Sequence, residues 1–157
     1  MTTYAPIILP PPHDLSWHRA EIIARALRAR GIANPMIVAA VANALAEAGW
    51  RAVIAGDHGQ SFGPWQLKFQ FYGEQILAKT GVDIRAEPDL KKHVDAVLCA
   101  LAMPANAKTL AALEAAKTGE EATRVWAASF ERASAGGAVE RRVALAGPVE
   151  IWLSKLT

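Results

Sequence analysis

A single cysteine stands among the 157 residues, so no internal disulfide is open to the chain. That thiol, Cys99, lies in the apolar run Val97-Leu98-Cys99-Ala100-Leu101, the setting of a buried structural cysteine rather than a nucleophile. The four histidines, His13, His18, His58 and His93, show neither His-x-x-x-His spacing nor a cysteine partner, and no serine sits in a Gly-x-Ser-x-Gly elbow. Zinc chemistry and a serine nucleophile are not indicated, and no metal or cofactor is expected. No run approaches the roughly 18 apolar residues of a membrane span. The opening Met-Thr-Thr-Tyr-Ala-Pro-Ile-Ile-Leu lacks the positive start and longer apolar stretch of a secretory signal. Charge of one sign is scarce too. A net charge of +2, with a pI near 8.9, is too small and too evenly spread to argue for nucleic acid, though it suits a polyanionic target. Strand-like alternation and internal repeats are also missing.

What is present is apolar and rich in alanine. Apolar residues make up 52% of the chain and charged residues 20%, which excludes disorder and favours an all-helical domain. The length suits one domain over 1–157 with one core. Residues 1–13 end in Pro10-Pro11-Pro12 and are expected to form an extended arm. From Asp14 or Ser16 as cap, Trp17, Ala20, Ile23, Ala24 and Leu27 keep helical spacing until Gly31. Asn34-Pro35 opens a second helix to about Ala48, apolar nearly all round and hence central. Residues 64–79 fit either a helix or a short extended piece followed by one. Further helices are expected from Pro88 to Met103, Asn106 to Ala116, Glu120 to Arg132 and Val139 to Leu156, the last kinked at Gly147-Pro148.

The informative stretch lies at the end of the second helix. Glu47 arrives in its last turn, just before Gly49 offers a left-handed stop. An acid there is partly desolvated, its sequence neighbours offer no salt bridge, and Asn43 one turn earlier is placed to hold its carboxyl. Such an acid keeps its proton near neutral pH, as a general acid must. A surface glutamate on a last turn is the plainer alternative. The loop that follows carries Gly56, Asp57, His58, Gly59, Gln60, Ser61, Gly63 and Gln66, with Trp50 and Trp65 at its ends. Its glycines permit close approach of a ligand to the main chain, as a saccharide cleft requires. A hairpin turn with Asp57 bonded to its own backbone fits the same residues, whereas a calcium loop would show more oxygens at alternate positions. Trp50, Trp65, Phe62 and Tyr72 are candidates to stack on sugar rings, Trp65 foremost, while Phe62, Phe69 and Phe71 are expected in the core.

Glu47 followed by Gly56-Asp57-His58-Gly59-Gln60-Ser61-Phe62-Gly63-Pro64-Trp65-Gln66 resembles the active-site signature of goose-type lysozymes and phage lysozyme-like enzymes, whose outline soluble lytic transglycosylases share. A second stretch, Phe130-Glu131-Arg132-Ala133 with Arg141-Arg142-Val143-Ala144-Leu145-Ala146, resembles phage tail and endolysin-type lysozymes. The resemblance implies a mainly α, lysozyme-like fold with a small β-structure in the active-site loop. It implies Glu47 as catalytic acid, Asp57 as second catalytic residue, and Gln66 near the sugar, with Ser61, Gln60, His58, Trp65, Trp50 and Tyr72 as further substrate-binding candidates. The expected partner is the peptidoglycan glycan strand, and the expected state a monomer. Phage delivery is expected, either from a virion or from the host cytoplasm into the periplasm.

Departures keep the reaction open. Ala48 replaces the usual serine after the acid, Lys68 the aspartate of goose-type enzymes, and Ala133 a proline, while no Tyr-Asn-Ala-Gly occurs. Hydrolysis needs a group to position water, for which Asp57 is the candidate, whereas a transglycosylase works with Glu47 alone. A non-catalytic phage structural or wall-binding module and a chitinase-type hydrolase are further alternatives. Glu131 is expected to be structural, a capping partner for Arg141 in preference to a second cleft acid.

Overall fold

The computed structural model describes residues 5–133 and 136–157. Helix α1 (Ser16–Ala29) is stopped at Gly31, which takes φ +75°, and α2 (Asn34–Ala48) is stopped by Gly49 at φ +57°. Because its apolar residues leave no polar face, α2 is buried without a break from Met36 to Leu45 and forms the axis of the core. The alanines along it let neighbours come close. On α6 (Gly119–Val125), a Cβ at Gly119 would lie 2.7 Å from Val38 Cγ1, so helix contact here depends on a missing side chain. Each fully buried valine, leucine or isoleucine in this core contributes about 1.5–3 kcal/mol.

After α2 comes a three-stranded antiparallel sheet of minimal strands: β1 (Ala55–Gly56), β2 (Ser61–Phe62) and β3 (Leu67–Lys68), in the order β1-β2-β3. Ala55 pairs with Phe62 and Gly56 with Ser61; Ser61 then pairs with Lys68 and Phe62 with Leu67. The segment after β3 is a wide π-helical stretch, Phe69–Gly73, running into α3 (Glu74–Thr80), which selects the extended-then-helical option for residues 64–79. Helix α4 (Leu90–Leu101) starts two residues beyond Pro88 because the Asp89 carboxylate caps it, accepting from the Lys91 N–H at 2.9 Å. A short 3₁₀ turn (Pro104–Asn106) leads to α5 (Ala107–Ala115), and Thr118 caps α6 through the Glu121 N–H at 3.1 Å.

The expected helix over 120–132 changes character at Trp126. A second π-helical stretch, Trp126–Phe130, widens its end and lets Trp126 and Phe130 pack edge to face at 5.3 Å. The last expected helix is two: α7 (Ala138–Val143) and α8 (Ala146–Ser154). The break falls at Ala144–Leu145 rather than at Gly147-Pro148. Pro148 thus sits in the first turn of α8, where its missing N–H has no intrahelical partner to lose.

Tryptophans tie the ends together. The Trp17 ring lies 4.9 Å from that of Trp50 and 5.0 Å from that of Trp152, while its indole N–H donates to the carbonyls of Pro10 and Pro11 at 3.1 Å. Residues 5–13 carry no helix, as expected, and Ile7 and Leu9 pack on the core. The first four residues of the expected arm lie outside the described residues. No single helix among the described residues is long and apolar enough to cross a membrane.

Candidate active site

A cavity of about 560 Å³ opens where α2 ends, between the glycine loop and the chain running out of the second π-helical stretch. Glu47 comes to it from α2; Asp57, Gln66 and Lys68 come from the loop; Phe71, Tyr72 and Gln75 form one side; Phe130, Glu131 and Arg132 form the other. Helix termination explains the first placement. Gly49 and then Trp50, both at positive φ, turn the chain away at once and leave the last helical turn facing open space.

The loop is held by its two tryptophans. The Trp50 indole donates to the Val41 carbonyl at 2.9 Å, and that of Trp65 to the neighbouring Ala40 carbonyl at 2.9 Å. Both are buried, Trp50 at 0% and Trp65 at 1% exposure; Trp65 borders the cavity and Trp50 does not, and neither has an open ring face for a sugar. This corrects their expected role: burying a large aromatic ring and satisfying its one donor against a helix outweighs leaving it in the cleft. Phe71 corrects the opposite expectation. Placed outward by the π-helical stretch, it is 60% exposed at the cavity and presents the apolar ring that the tryptophans do not. Tyr72 does line the cavity, its hydroxyl accepting from Asn106 Nδ2 at 3.3 Å.

Within the loop, Asp57 and His58 sit consecutively at φ +49° and +56° as the turn between β1 and β2, closed by Gly59 N–H to Gly56 O at 3.0 Å. The Asp57 carboxylate does not bond its own backbone; it accepts from the Ser61 hydroxyl at 2.7 Å. Ser61 is thereby buried as a brace, while His58 and Gln60 are exposed on the outer rim and do not line the cavity. Gln66, at φ +48°, donates through Nε2 to the Gly63 carbonyl at 2.9 Å. Its Oε1 lies 2.2 Å from where a Cβ on Gly56 would be, so the glycine is what admits the glutamine side chain. Behind the loop, the buried His93 ring packs on Gly63, with Nε2 2.7 Å from the Glu87 carbonyl oxygen. Burial lowers the His93 pKa below the ordinary histidine value, against the pull of that carbonyl and of Glu87 and Asp89. Among the described residues, the non-glycine residues at positive φ are Trp50, Asp57, His58, Gln66 and Arg132, all in the loop or on the wall facing it; backbone strain thus collects around the cleft.

The charges differ from the sequence expectation. Glu47 does have a partner, supplied from 95 residues away: Arg142 on α7 reaches its Oε1 through Nη2 at 2.5 Å. The two side chains are only 20% and 12% exposed. Asn43 does not hold Glu47; it is buried and donates to the Ala39 carbonyl at 2.9 Å. The desolvated acid is Glu131. It lines the same cavity and accepts from the Trp126 indole N–H at 3.0 Å. Its pKa is pushed well above the usual glutamate value, first by desolvation and then by the Glu47 carboxylate, with the Trp126 hydrogen bond and Arg142 pulling the other way. Sequence reasoning missed Arg142 as the counter-ion and undervalued Glu131; the one available signal was that both fall in the second resembling stretch. Among the described residues no three His, Cys, Asp or Glu side chains gather as metal ligands would.

In chemical terms the site offers one ion-paired carboxylate, one partly exposed acid whose pKa is raised, one braced aspartate and an exposed aromatic ring around an open groove, a set suited to acid-base work on a sugar chain. No curated protein and no solved structure matches the chain. One family of known proteins does, described as phage tail lysozyme, with its match running over residues 18–149 and so spanning both walls of the cleft. With a match across most of its length, the chain belongs to the phage tail lysozyme family.

Proposed function

We propose that this protein cleaves peptidoglycan by hydrolysing the β-1,4 bond between N-acetylmuramic acid and N-acetylglucosamine, with Glu47 as general acid and Asp57 positioning the attacking water. The observation that carries this reading is the placement of Glu47 and Asp57 on separate elements lining one open groove, with Gln66 beside them. An acid on one side of the scissile bond and a base holding water on the other is the arrangement inversion requires. Because Glu47 rests in an ion pair with Arg142, a proton must reach it before the glycosidic oxygen can leave. The test is turbidity loss of outer-membrane-permeabilised bacteria. Glu47→Gln should lower the rate by about 10²–10⁴-fold, and a wild type no faster than this variant would favour the non-catalytic alternative. Chitooligosaccharide cleavage outpacing that of peptidoglycan would favour the chitinase-type alternative.

One observation favours a second reading, the lytic transglycosylase. The Ser61 hydroxyl engages Asp57, which suits an aspartate that braces the loop and leaves attack to the sugar's own hydroxyl. In that case Asp57→Asn keeps substantial activity, and the released muropeptides carry 1,6-anhydro ends, lighter than reducing ends by one water. Mass spectrometry of the products separates the two. For both readings we propose delivery to the wall by a phage, from the virion or from the infected host's cytoplasm.

A further inference from the structure

The charged groups lining the cavity divide into those already engaged and those left over. Each carboxyl has a donor within the protein: Glu47 the Arg142 guanidinium, Asp57 the Ser61 hydroxyl and Glu131 the Trp126 indole. The two cations that line the cavity, Lys68 and Arg132, make no ion pair and no side-chain hydrogen bond among the described residues. They stand on opposite walls, and both are exposed. Local structure holds each where it is. Lys68 ends β3, whose alternation buries Leu67 and leaves Lys68 in the open. Arg132 takes φ +51°, a left-handed conformation unfavourable for a residue with a Cβ. Bonds on either side fix that turn, from the Glu131 N–H to the Trp126 carbonyl and from the Ala133 N–H to the Ala127 carbonyl, both at 2.9 Å. A strained backbone thus brings to the cleft a cation that no other group of the protein engages.

We propose that Lys68 and Arg132 determine specificity by binding the carboxylates that peptidoglycan carries on the lactyl arms of alternate sugars, either directly or on the peptides attached there. The inference rests on the peptidoglycan-cleaving reading above and adds which part of the substrate is recognised. A carboxylate-bearing strand entering a cavity lined by Glu47, Asp57 and Glu131 meets like charge, and only cations not engaged by those acids can offset it. Arg142 cannot, because it bonds Glu47. Stacking does not supply the same discrimination. The exposed Phe71 ring accepts the apolar face of any pyranose, charged or neutral, so it holds chitin as well as peptidoglycan. Complementary charge is what separates the two.

The test compares two soluble substrates, glycan strands with their peptides and the same strands with every carboxylate converted to an amide. The full chain is used with Lys68→Gln and Arg132→Asn combined, asparagine being tolerant of left-handed backbone so that the turn is kept. On native strands the double variant should lose roughly five- to tenfold in kcat/KM, through KM, as expected of two solvent-reached ion pairs. On amidated strands the loss should be several-fold smaller. The preference of wild type for native strands should shrink as salt rises from about 0.05 M to about 0.5 M, and Lys68→Arg, which keeps the charge, should retain it. Equal losses on both substrates, or no loss on native strands, would overturn the proposal. Strands stripped of peptide by an amidase keep bare lactyl carboxylates. A preference retained there supports the lactyl group as the source of the charge, and one lost there supports the peptide. Binding to uncleaved strands is read by calorimetry in Glu47→Gln. Should wild type cleave neither substrate while Glu47→Gln binds native strands more tightly than amidated ones, and the two added substitutions erase that difference, the enzymatic reading falls and the assignment stands. Should Glu47→Gln bind both strands equally, the assignment falls whatever the activity.

Discussion

The cleft has two walls of different make. The loop wall, from Gly49 to Lys68, is local: its turns are closed by neighbours in sequence, and it is stapled at both ends to adjacent carbonyls of α2. The opposite wall, from Trp126 to Arg142, is assembled across the chain and carries Glu131 and the counter-ion of Glu47. Shape is thus set by one wall and charge by the other. Changes to the first should alter how a glycan seats, and changes to the second should alter how its cleavage responds to pH.

The largest effect expected against this division is on the loop wall. Gly63→Ala adds a Cβ at φ +78° only 2.8 Å from the His93 ring, combining backbone strain with a clash against a buried side chain. A cost of about 2–4 kcal/mol is expected, read as a lowered midpoint in denaturant with lytic activity falling alongside. Gly56→Ala is cleaner. Its backbone is not in the left-handed region, so the only conflict is with Gln66 Oε1. Stability should change by about 1 kcal/mol, while activity drops at least tenfold as Gln66 is driven from its place. A Gly56→Ala enzyme with full activity would show that Gln66 has no part in seating the substrate.

On the other wall, Arg142→Gln leaves Glu47 without its ion pair at 20% exposure and should cost about 1–3 kcal/mol, less than a fully buried pair because solvent reaches the site. Calorimetry of the variant measures it. Glu131 yields a smaller effect with a definite sign. Its folded pKa is raised, so between the ordinary glutamate value and that raised value the native state binds more protons than the unfolded chain, and stability falls as pH rises. Glu131→Gln removes this slope. Its melting temperature relative to wild type should climb from acid to neutral pH, and a difference constant with pH would contradict the desolvation described here. Smallest is the contribution of His93, whose lowered pKa acts in the opposite direction. Unfolded histidine takes up a proton before the native one does, so stability is lost as pH falls below about 6.5. His93→Gln should flatten that acid-side decline by less than about 1 kcal/mol.

How much of this was legible in the sequence follows the same division. Helices α1, α2 and α4 announce themselves through apolar spacing and stops at Gly31 and Gly49, and the turn of the glycine loop through Asp57-His58-Gly59, because the forces that shape them act between near neighbours. The π-helical stretches were invisible, since an extra residue in a helical turn leaves the apolar pattern almost unchanged. So was the break before α8, which the eye assigns to Gly147-Pro148 although proline is welcome in a first turn. In the site, Glu47, Asp57, Gln66 and Tyr72 meet at the cavity, as the resemblance implied. Trp50 does not, and Trp65 borders it with only 1% of its surface exposed, because hydropathy alone cannot say whether a ring beside a cleft faces it or backs it. Arg142 lies 95 residues from Glu47, and nothing local marks one arginine of a pair as the one that reaches inward.

The two indole staples have a further consequence, for timing. Their hydrogens sit in buried bonds to neighbouring carbonyls of the most enclosed helix, so each exchanges with solvent only when its own end of the loop lifts away. Deuterium uptake at the Trp50 and Trp65 indoles therefore acts as a pair of clocks. Equal rates would mean that the loop leaves α2 as one flap, and unequal rates that it peels from one end while the other still holds.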